Sequence, residues 1–102
     1  MRERAVADAD QGYGAVVVKA GRIVGQAPSR VVSAGDPTAH AEMEAIRDAA
    51  RRLGTRSLAG CVLYSTSRAC AMCETAAYWS GLDGMVYGES LSDGGAPRYG
   101  GC

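Results

Sequence analysis

The sequence contains a single histidine, and the residues around it give that histidine a chemical context. His40 stands two residues before Glu42 in "PTAHAEMEAI", at the start of a segment with helical periodicity. Further along, Cys70 and Cys73 are one helical turn apart in "CAMC", so both sulfurs can point the same way. One imidazole and two thiolates form a ligand set for tetrahedral zinc that leaves a fourth position open.

An open fourth position distinguishes a catalytic zinc site from a closed structural one. A bound zinc ion lowers the pKa of its water from about 15.7 to around 7. Glu42 lies close enough to His40 in the chain to reach such a water without binding the metal. It could take the proton of the water and deliver it to a substrate nitrogen. This spacing predicts a hydrolytic enzyme that releases an amine.

The segments before Glu42 predict a β-hairpin and the start of a helix. "GYGAVVVKAGRIVGQAP" has two apolar runs, at residues 15–18 and 23–24, on either side of a turn at Gly21. Asp36 or Thr38 is expected to cap the following helix, and Gly54 to end it. Apolar residues at spacings of three and four predict its buried face, which comprises Ala39, Met43, Ile46, Ala50 and Leu53.

The second half of the chain predicts a strand, a helix and another strand. "GCVLYST" reads as a buried strand at residues 60–66, a helix should run from Ala71 to Ser80, and "GMVYGES" gives a strand at residues 84–90. The tail "LSDGGAPRYGGC" is interpreted as irregular. The order β, β, α, β, α, β predicts an α/β fold with parallel strands and helices packed on the sheet. Two helices side by side would bring their first turns together.

Length and composition indicate the number of domains, the class of protein and the cellular location. The 102 residues are expected to form one domain, residues 1–102, and 47% apolar with 22% charged residues are typical of soluble globular proteins. No apolar run is long enough to span a membrane, and "MRERAVADAD" has no stretch that could serve as a signal peptide. A cytoplasmic location follows. There the cysteines are expected to be thiols or metal ligands; they are Cys61, Cys70, Cys73 and Cys102.

The pattern "HAE" followed by "CAMC" is the signature of zinc-dependent nucleobase deaminases. The chain resembles the cytidine deaminase-like superfamily, and within it the branch of guanine deaminases and tRNA adenosine deaminases. The resemblance runs from about Gly12 to Gly88 and includes "GAVVV", "DPTAHAE", "LYST" and "AAYW". It implies a three-layer α/β/α sandwich, one tightly bound zinc ion per chain and a homodimer whose partner helps complete the pocket.

The resemblance also implies roles for individual residues. His40, Cys70 and Cys73 match the zinc ligands, and Glu42 matches the proton shuttle. Three further residues match substrate-binding positions. The backbone amide of Ala41 would contact an exocyclic oxygen of the substrate, and Trp79 would form an aromatic wall of the base pocket. Ser29 stands where relatives commonly have an asparagine that binds the base. A serine side chain is shorter than an asparagine side chain and has no amide group. The resemblance therefore does not by itself identify guanine as the substrate.

The two ends depart from the pattern of the superfamily. Relatives generally begin with a longer helix and add a strand and helices after the position of Gly88. Here at most a short helical piece is expected at residues 2–9, and the last strand should be missing or very short. Arg68 and Ala69 precede Cys70 where relatives have glutamate and proline, but neither position supplies a ligand atom.

Simpler interpretations remain open for each residue taken alone. A histidine at a helix start can be a cap, Cys-x-x-Cys can be a redox pair or half of a closed zinc site, and Trp79 can be a core residue. Taken together and in this order, the residues favour the deaminase site.

The functional hypothesis is a zinc-dependent hydrolytic deaminase of a small free nucleobase, nucleoside or related amino-heterocycle. A first alternative acts on adenosine or cytidine within RNA or DNA, against which the zero formal net charge counts. A second alternative is a non-catalytic zinc-binding protein of the same fold, against which the presence of Glu42 counts.

Overall fold

The computed structural model describes residues 14–66, 70–88, 92–95 and 97, and within these ranges it contains one mixed sheet and three helices. The five strands lie in the order β2-β1-β3-β4-β5. They are β1 (Gly14–Lys19), β2 (Arg22–Pro28), β3 (Cys61–Ser65), β4 (Gly84–Tyr87) and β5 (Ser92–Gly95). The helices are α1 (Val31–Ala34), α2 (Ala41–Leu53) and α3 (Ala71–Ser80).

The predicted hairpin is confirmed as β1 and β2. The two strands pair antiparallel and are closed by Lys19 opposite Arg22. Ala20 and Gly21 between them both have positive φ, at 52° and 77°. This backbone is that of the tight two-residue turns whose twist matches the right-handed twist of a hairpin.

The connections between strands place both long helices on one face of the sheet. β1 is antiparallel to both β2 and β3, so β2 and β3 run in the same direction, and β3 and β4 are parallel. The crossovers through α2 and α3 both move toward the β5 edge. Right-handed crossovers in the same direction put their helices on the same face. The two helices are in contact, as the sequence predicted.

The core lies between this helical layer and the sheet. Val17, Leu63 and Met85 are buried and stand in register across β1, β3 and β4. The helices oppose them largely with alanines, including the buried Ala45 and Ala77. Small side chains let helix and sheet approach closely, because no bulky side chain holds their backbones apart.

The prediction for the buried face of α2 is only partly correct. Met43, Ala50 and Leu53 are half-buried rather than buried, and Ala39 precedes the helix. The residues that are buried lie on a face that includes two carboxylates: Ala41, Glu42, Ala45, Ile46, Asp48 and Ala49. Apolar periodicity missed this face because it treats acidic residues as exposed, whereas both carboxylates here lie inside.

The cap of α2 differs from the prediction as well. The helix begins after His40 and ends at Gly54, which has φ of 67°. Asp36 does not cap it, but accepts hydrogen bonds from the backbone N–H and the hydroxyl of Thr38, at 2.8 and 2.7 Å. These bonds hold a turn before the helix and lower the pKa of Asp36. The short chain of an aspartate favours such local turns.

The sequence also missed two short elements. The four-residue helix α1 lies in the connection between β2 and α2. Part of the tail interpreted as irregular is the strand β5, which pairs antiparallel with β4. Strand pairing can impose this conformation on a glycine-rich segment that has little strand propensity of its own.

Predictions from the sequence also concern an N-terminal helical piece and membrane-spanning segments. The short helical piece expected at residues 2–9 lies outside the described residues, so the sheet and the layer of α2 and α3 are the parts of the predicted sandwich that can be compared. In the part of the chain that the structure describes, none of the helices has the length and apolar character needed to cross a membrane.

Candidate metal centre

His40 and Cys70 occupy equivalent positions at the beginnings of the two long helices. Each is the N-cap residue, with extended backbone, and neither side chain caps its own helix. Because α2 and α3 lie side by side, the two side chains meet between the helix starts. Cys73 joins them from the first turn of α3 and is fully buried.

The distances among these three side chains fit a tetrahedral zinc ion. The Sγ atoms of Cys70 and Cys73 lie 3.6 and 3.5 Å from Nδ1 of His40. All three possible ligand atoms lie within 4.8 Å of one another. Zn–S bonds of about 2.3 Å and Zn–N bonds of about 2.0 to 2.1 Å at tetrahedral angles would separate nitrogen from sulfur by about 3.6 Å. The residues therefore match the geometry that the metal requires.

The environment of Cys73 favours a bound cation. Burial raises the pKa of its thiol, and the neighbouring charges of Glu42 and Cys70 raise it further. The backbone N–H of Met43, in the first turn of α2, acts on the sulfur in the opposite direction and lowers the pKa of the thiol. A metal ion would supply the positive charge that a thiolate in this place needs. The start of α2 thus orients a side chain that belongs to α3.

Glu42 is buried beside this cluster, in the first turn of α2, and is only 7% exposed. Burial raises the pKa of its carboxyl, while its own backbone N–H and the neighbouring His40 oppose that shift. Its charge acts on Cys73, which indicates that the carboxylate is close to the cluster. A raised pKa brings a carboxyl closer to neutrality, which favours both the acceptance and the return of a proton that a shuttle requires.

Of the predicted substrate-binding residues, Ala41 directly follows His40, and Ser29 is buried in the connection between β2 and α1. Ala41 is the first residue of α2 and is fully buried. A backbone N–H in the first turn has no acceptor within its own helix and can serve a ligand. Ser29 is 1% exposed, and its hydroxyl accepts a 3.4 Å hydrogen bond from the backbone N–H of Val31. Arg30 ties this segment to the metal centre, because its backbone N–H donates to the carbonyl of Ala39 at 2.8 Å.

Trp79 lies apart from the cluster within one chain. Its side chain is 70% exposed, so the interpretation as a core residue is wrong. It is six residues beyond Cys73 on α3, which corresponds to about 9 Å along the helix axis. Its ring packs edge to face against Tyr78, with centroids 5.9 Å apart. The role of Trp79 as an aromatic wall of the base pocket stays a prediction.

Sequence reasoning missed the contribution of Met43. The residue was assigned to the apolar face of α2, and its side chain is half-buried. Its contact with the metal centre is made by a backbone group, so the type of side chain carries no signal for it. Only its place in the first turn, three residues after His40, could have pointed to an N–H available for hydrogen bonding.

Comparison with known proteins agrees with this geometry. Residues 1–89 match the family model for the cytidine and deoxycytidylate deaminase zinc-binding region. The chain is 41% identical over 81 residues to the guanine deaminase of Bacillus subtilis, covering 79% of this chain and 52% of that protein. It is 42% identical over 85 residues to the tRNA-specific adenosine deaminase of Aquifex aeolicus, covering 83% of this chain and 56% of that protein. The chain thus spans about half the length of these relatives.

Solved structures show the same fold. One, from a study of tRNA:A34 deaminases that edit A to I at the wobble position of transfer RNA, superposes with a TM-score of 0.80 at 34% identity. The match covers 84% of this chain and 66% of that one. The sheet order, the two helices on one face and the paired helix starts are those of a cytidine deaminase-like α/β fold. The chain therefore belongs to the cytidine and deoxycytidylate deaminase family and contains its zinc-binding region.

Proposed function

We propose that the protein is a hydrolytic deaminase of a small free nucleobase, nucleoside or related amino-heterocycle. The observation that carries this proposal is the buried Glu42 beside the cluster of His40, Cys70 and Cys73. A closed structural metal site has four protein ligands and no use for a buried carboxyl with a raised pKa. Three ligands and a carboxyl are the components of a hydrolytic site.

The residues of the chain would divide the chemistry between them. His40, Cys70 and Cys73 would hold one zinc ion, which when bound supplies activation of water at neutral pH. Glu42 would accept the proton of the water and pass protons to the ring nitrogen and to the departing amine. The backbone N–H of Ala41 would orient the substrate by donating to an exocyclic oxygen. The products are the ring carbonyl and ammonia.

Two observations support a small substrate. The similar protein from B. subtilis is a guanine deaminase. The chain also carries zero formal net charge, whereas proteins that bind nucleic-acid polymers owe much of their affinity to a basic surface. Ser29 in place of an asparagine would alter the contacts with the base, so the substrate would differ from guanine or be bound differently.

A second candidate, deamination of a base within RNA, is favoured by a separate observation. The A. aeolicus relative, of similar identity, is a tRNA-specific adenosine deaminase. A polymeric substrate would have to present its base unpaired or flipped out for the base to reach the metal centre. Its binding would weaken steeply with added salt, whereas the binding of a neutral base would not.

The proposal includes a single domain that acts as a homodimer in the cytoplasm. Tyr78 and Trp79 are 48% and 70% exposed on α3, and adjacent exposed aromatic side chains are typical of interaction surfaces. Three cysteines of the described residues, Cys61, Cys70 and Cys73, are free thiols. Free thiols that bind metal are suited to a reducing compartment.

The experiment that tests the function is ammonia release by the zinc-loaded protein. The panel would contain guanine, isocytosine, cytosine, adenine, their nucleosides and aminotriazines, together with an RNA hairpin that presents an unpaired adenosine. The matched variant is Glu42→Gln, which keeps the size of the side chain but cannot carry the proton. Glu74→Gln is the control, because it removes an acidic residue of α3 that has no proposed role.

We expect release from one small member of the panel, lowered at least about a hundredfold in Glu42→Gln and little changed in Glu74→Gln. Release from the RNA alone would replace the first candidate with the second. A zinc-loaded protein that releases no ammonia from any member would contradict both and leave a non-catalytic zinc protein. Zinc content measured on every sample separates lost chemistry from lost metal.

A further inference from the structure

A polar groove of about 180 Å³ lies between β2 and α2, and neither Glu42 nor any of the three clustered residues lines it. One side is formed by the end of β2, and the other by the middle and C-terminal turns of α2. The lining residues are mainly polar or charged and comprise Gln26, Ala27, Pro28, Arg30, Glu44, Asp48, Arg51 and Arg52. Three guanidinium groups therefore share one concave surface with two carboxylates.

The two carboxylates are already occupied by partners of the same chain. Oδ1 of Asp48 accepts a hydrogen bond from Arg51 at 2.6 Å, and Oδ2 forms an ion pair with Arg52 at 3.0 Å. Glu44 accepts from Arg47 at 2.8 Å. Asp48 thus sets one negative charge against the two positive charges of Arg51 and Arg52. These three residues together keep one uncompensated positive charge.

The arginines retain donors for a ligand. A guanidinium has five N–H groups, and Asp48 engages one terminal nitrogen of each neighbouring arginine. Asp48 is only 8% exposed and is fixed by a backbone hydrogen bond, so it holds the two guanidiniums at the groove. Arg30 reaches the groove from the other side, and no ion pair of its side chain occurs among the described residues.

We propose that this groove is a binding site for a phosphate group, held between Arg30 and the pair Arg51 and Arg52. One uncompensated positive charge remains on the pair Arg51 and Arg52, and the second is that of Arg30. Together they match the charge of a phosphate monoester or of inorganic phosphate. Arginine is suited to this role because its planar fork presents parallel donors to phosphate oxygens. The groove shares no lining residue with the metal cluster, and the proposal does not depend on the proposed deaminase activity.

The test is titration of the zinc-loaded protein with inorganic phosphate and, separately, with uridine 5′-monophosphate, at constant ionic strength. Binding would be measured by calorimetry and located by backbone NMR. Arg30→Gln removes the guanidinium that has no partner among the described residues, so it should not disturb the fold. Arg56→Gln is the matched control, since it removes the same charge from an exposed residue beyond α2 that does not line the groove.

We expect both ligands to bind, and Arg30→Gln to raise the dissociation constant at least about tenfold, because charge-assisted hydrogen bonds are lost. Arg56→Gln should change it less than about twofold. The NMR chemical-shift changes on ligand binding should be largest at the backbone amides of Gln26 and Ala27. Tighter binding of the nucleotide than of phosphate would identify a phosphate ester as the preferred source, and equal binding would identify the free anion.

Three results would overturn the proposal. The first is absence of binding at millimolar concentrations of both ligands. The second is an equal loss of affinity in Arg30→Gln and Arg56→Gln, which would indicate only a diffuse electrostatic effect. The third is NMR shifts that centre on the first turns of α2 and α3, which would place the anion at the metal centre. The NMR result is obtained on the unaltered protein and does not depend on how a variant folds.

Discussion

The backbone N–H of Gln26 donates a hydrogen bond to Oδ2 of Asp48 at 3.0 Å, and this bond ties the edge strand β2 to helix α2. Among the described residues, β2 has a strand neighbour on one side only, and that pairing leaves some of its backbone donors free for other acceptors. Asp48 supplies an acceptor to one of them. Such cover of an edge strand restricts pairing with strands of other molecules.

The same carboxylate makes stability depend on pH. Burial alone would raise the pKa of Asp48, but the Gln26 N–H and the charges of Arg52 and Arg51 outweigh it, so the pKa is below its usual 3.8. A group with a lowered pKa contributes stability above its ordinary pKa and loses that contribution as the pH falls through the folded-state value.

We expect Asp48→Asn to lower the free energy of unfolding at pH 7 by about 1 to 3 kcal/mol. The difference from the unaltered protein should shrink as the pH falls below about 4. Urea unfolding over a range of pH measures this. Glu44→Gln, which breaks only the partly exposed pair with Arg47, should cost less than about 1 kcal/mol. An equal cost of the two substitutions at pH 7 would contradict the role of Asp48.

Gly25 sets the distance between β2 and α2. A Cβ placed there would lie 2.7 Å from the carbonyl oxygen of Ala45 and from the backbone nitrogen of Ala49. Backbone atoms cannot turn aside as a side chain can, so strand and helix would have to separate. We expect Gly25→Ala to lower the free energy of unfolding by about 1 to 3 kcal/mol. Thermal or urea unfolding tests this.

The control for Gly25→Ala lies in the same strand. Arg22→Ala changes an exposed residue of β2 and should alter the free energy of unfolding by less than about 0.5 kcal/mol. A Gly25→Ala protein as stable as the control would mean that the close contact between β2 and α2 is not needed.

Zinc binding should depend on the three clustered residues and not on the other buried thiol. We expect His40→Ala and Cys73→Ala to lose bound zinc, because each removes one of three ligands. Cys61→Ala should retain one zinc per chain, since Cys61 is buried in β3 and is not part of the cluster. Metal analysis after dialysis measures this, with melting temperature after chelation as a second reading.

A chelator should lower the melting temperature of the unaltered protein and of Cys61→Ala, because a ligand that binds only the folded state stabilises it. It should have no further effect on Cys73→Ala. Full zinc content in Cys73→Ala, or loss of zinc in Cys61→Ala, would show that the metal is held elsewhere.

Ser29 should affect substrate binding more than folding. Its hydrogen bond to the N–H of Val31 is long, at 3.4 Å, so Ser29→Ala should lower the free energy of unfolding by less than about 1 kcal/mol. If its hydroxyl contacts the base, kcat/KM should fall roughly tenfold at unchanged zinc content. Ser33→Ala, in the exposed part of α1, is the control. Unchanged kinetics would remove Ser29 from the substrate site.

Trp79 should act in assembly. We expect Trp79→Ala to raise the dissociation constant of the homodimer about tenfold or more, because exposed aromatic residues commonly anchor interfaces. Val32→Ala removes another exposed apolar side chain, 60% exposed on α1, and should leave assembly unchanged. Sedimentation at several concentrations compares them. A protein that sediments as a monomer throughout would refute the homodimer.

The sequence alone was sufficient for six of the eight elements and for the set of zinc ligands. Two apolar runs around a turn predicted the hairpin, and Gly54 predicted the end of α2, because these signals are local in the chain. The ligand set was also predicted. His40, Cys70 and Cys73 have side chains with few other uses in such an arrangement, and the topology rules for parallel strands bring their helix starts together.

Only the tertiary structure decided which polar groups are inside and what they contact. The effect of the Met43 N–H on Cys73 and the hydrogen bond from Gln26 to Asp48 both involve segments that are distant in the sequence. The burial of Glu42 also depends on the packing of the whole chain. The strand β5 likewise exists because β4 lies beside it. Periodicity reports the average polarity of a helix face, whereas the burial of a carboxylate depends on whether another part of the chain supplies its hydrogen bonds.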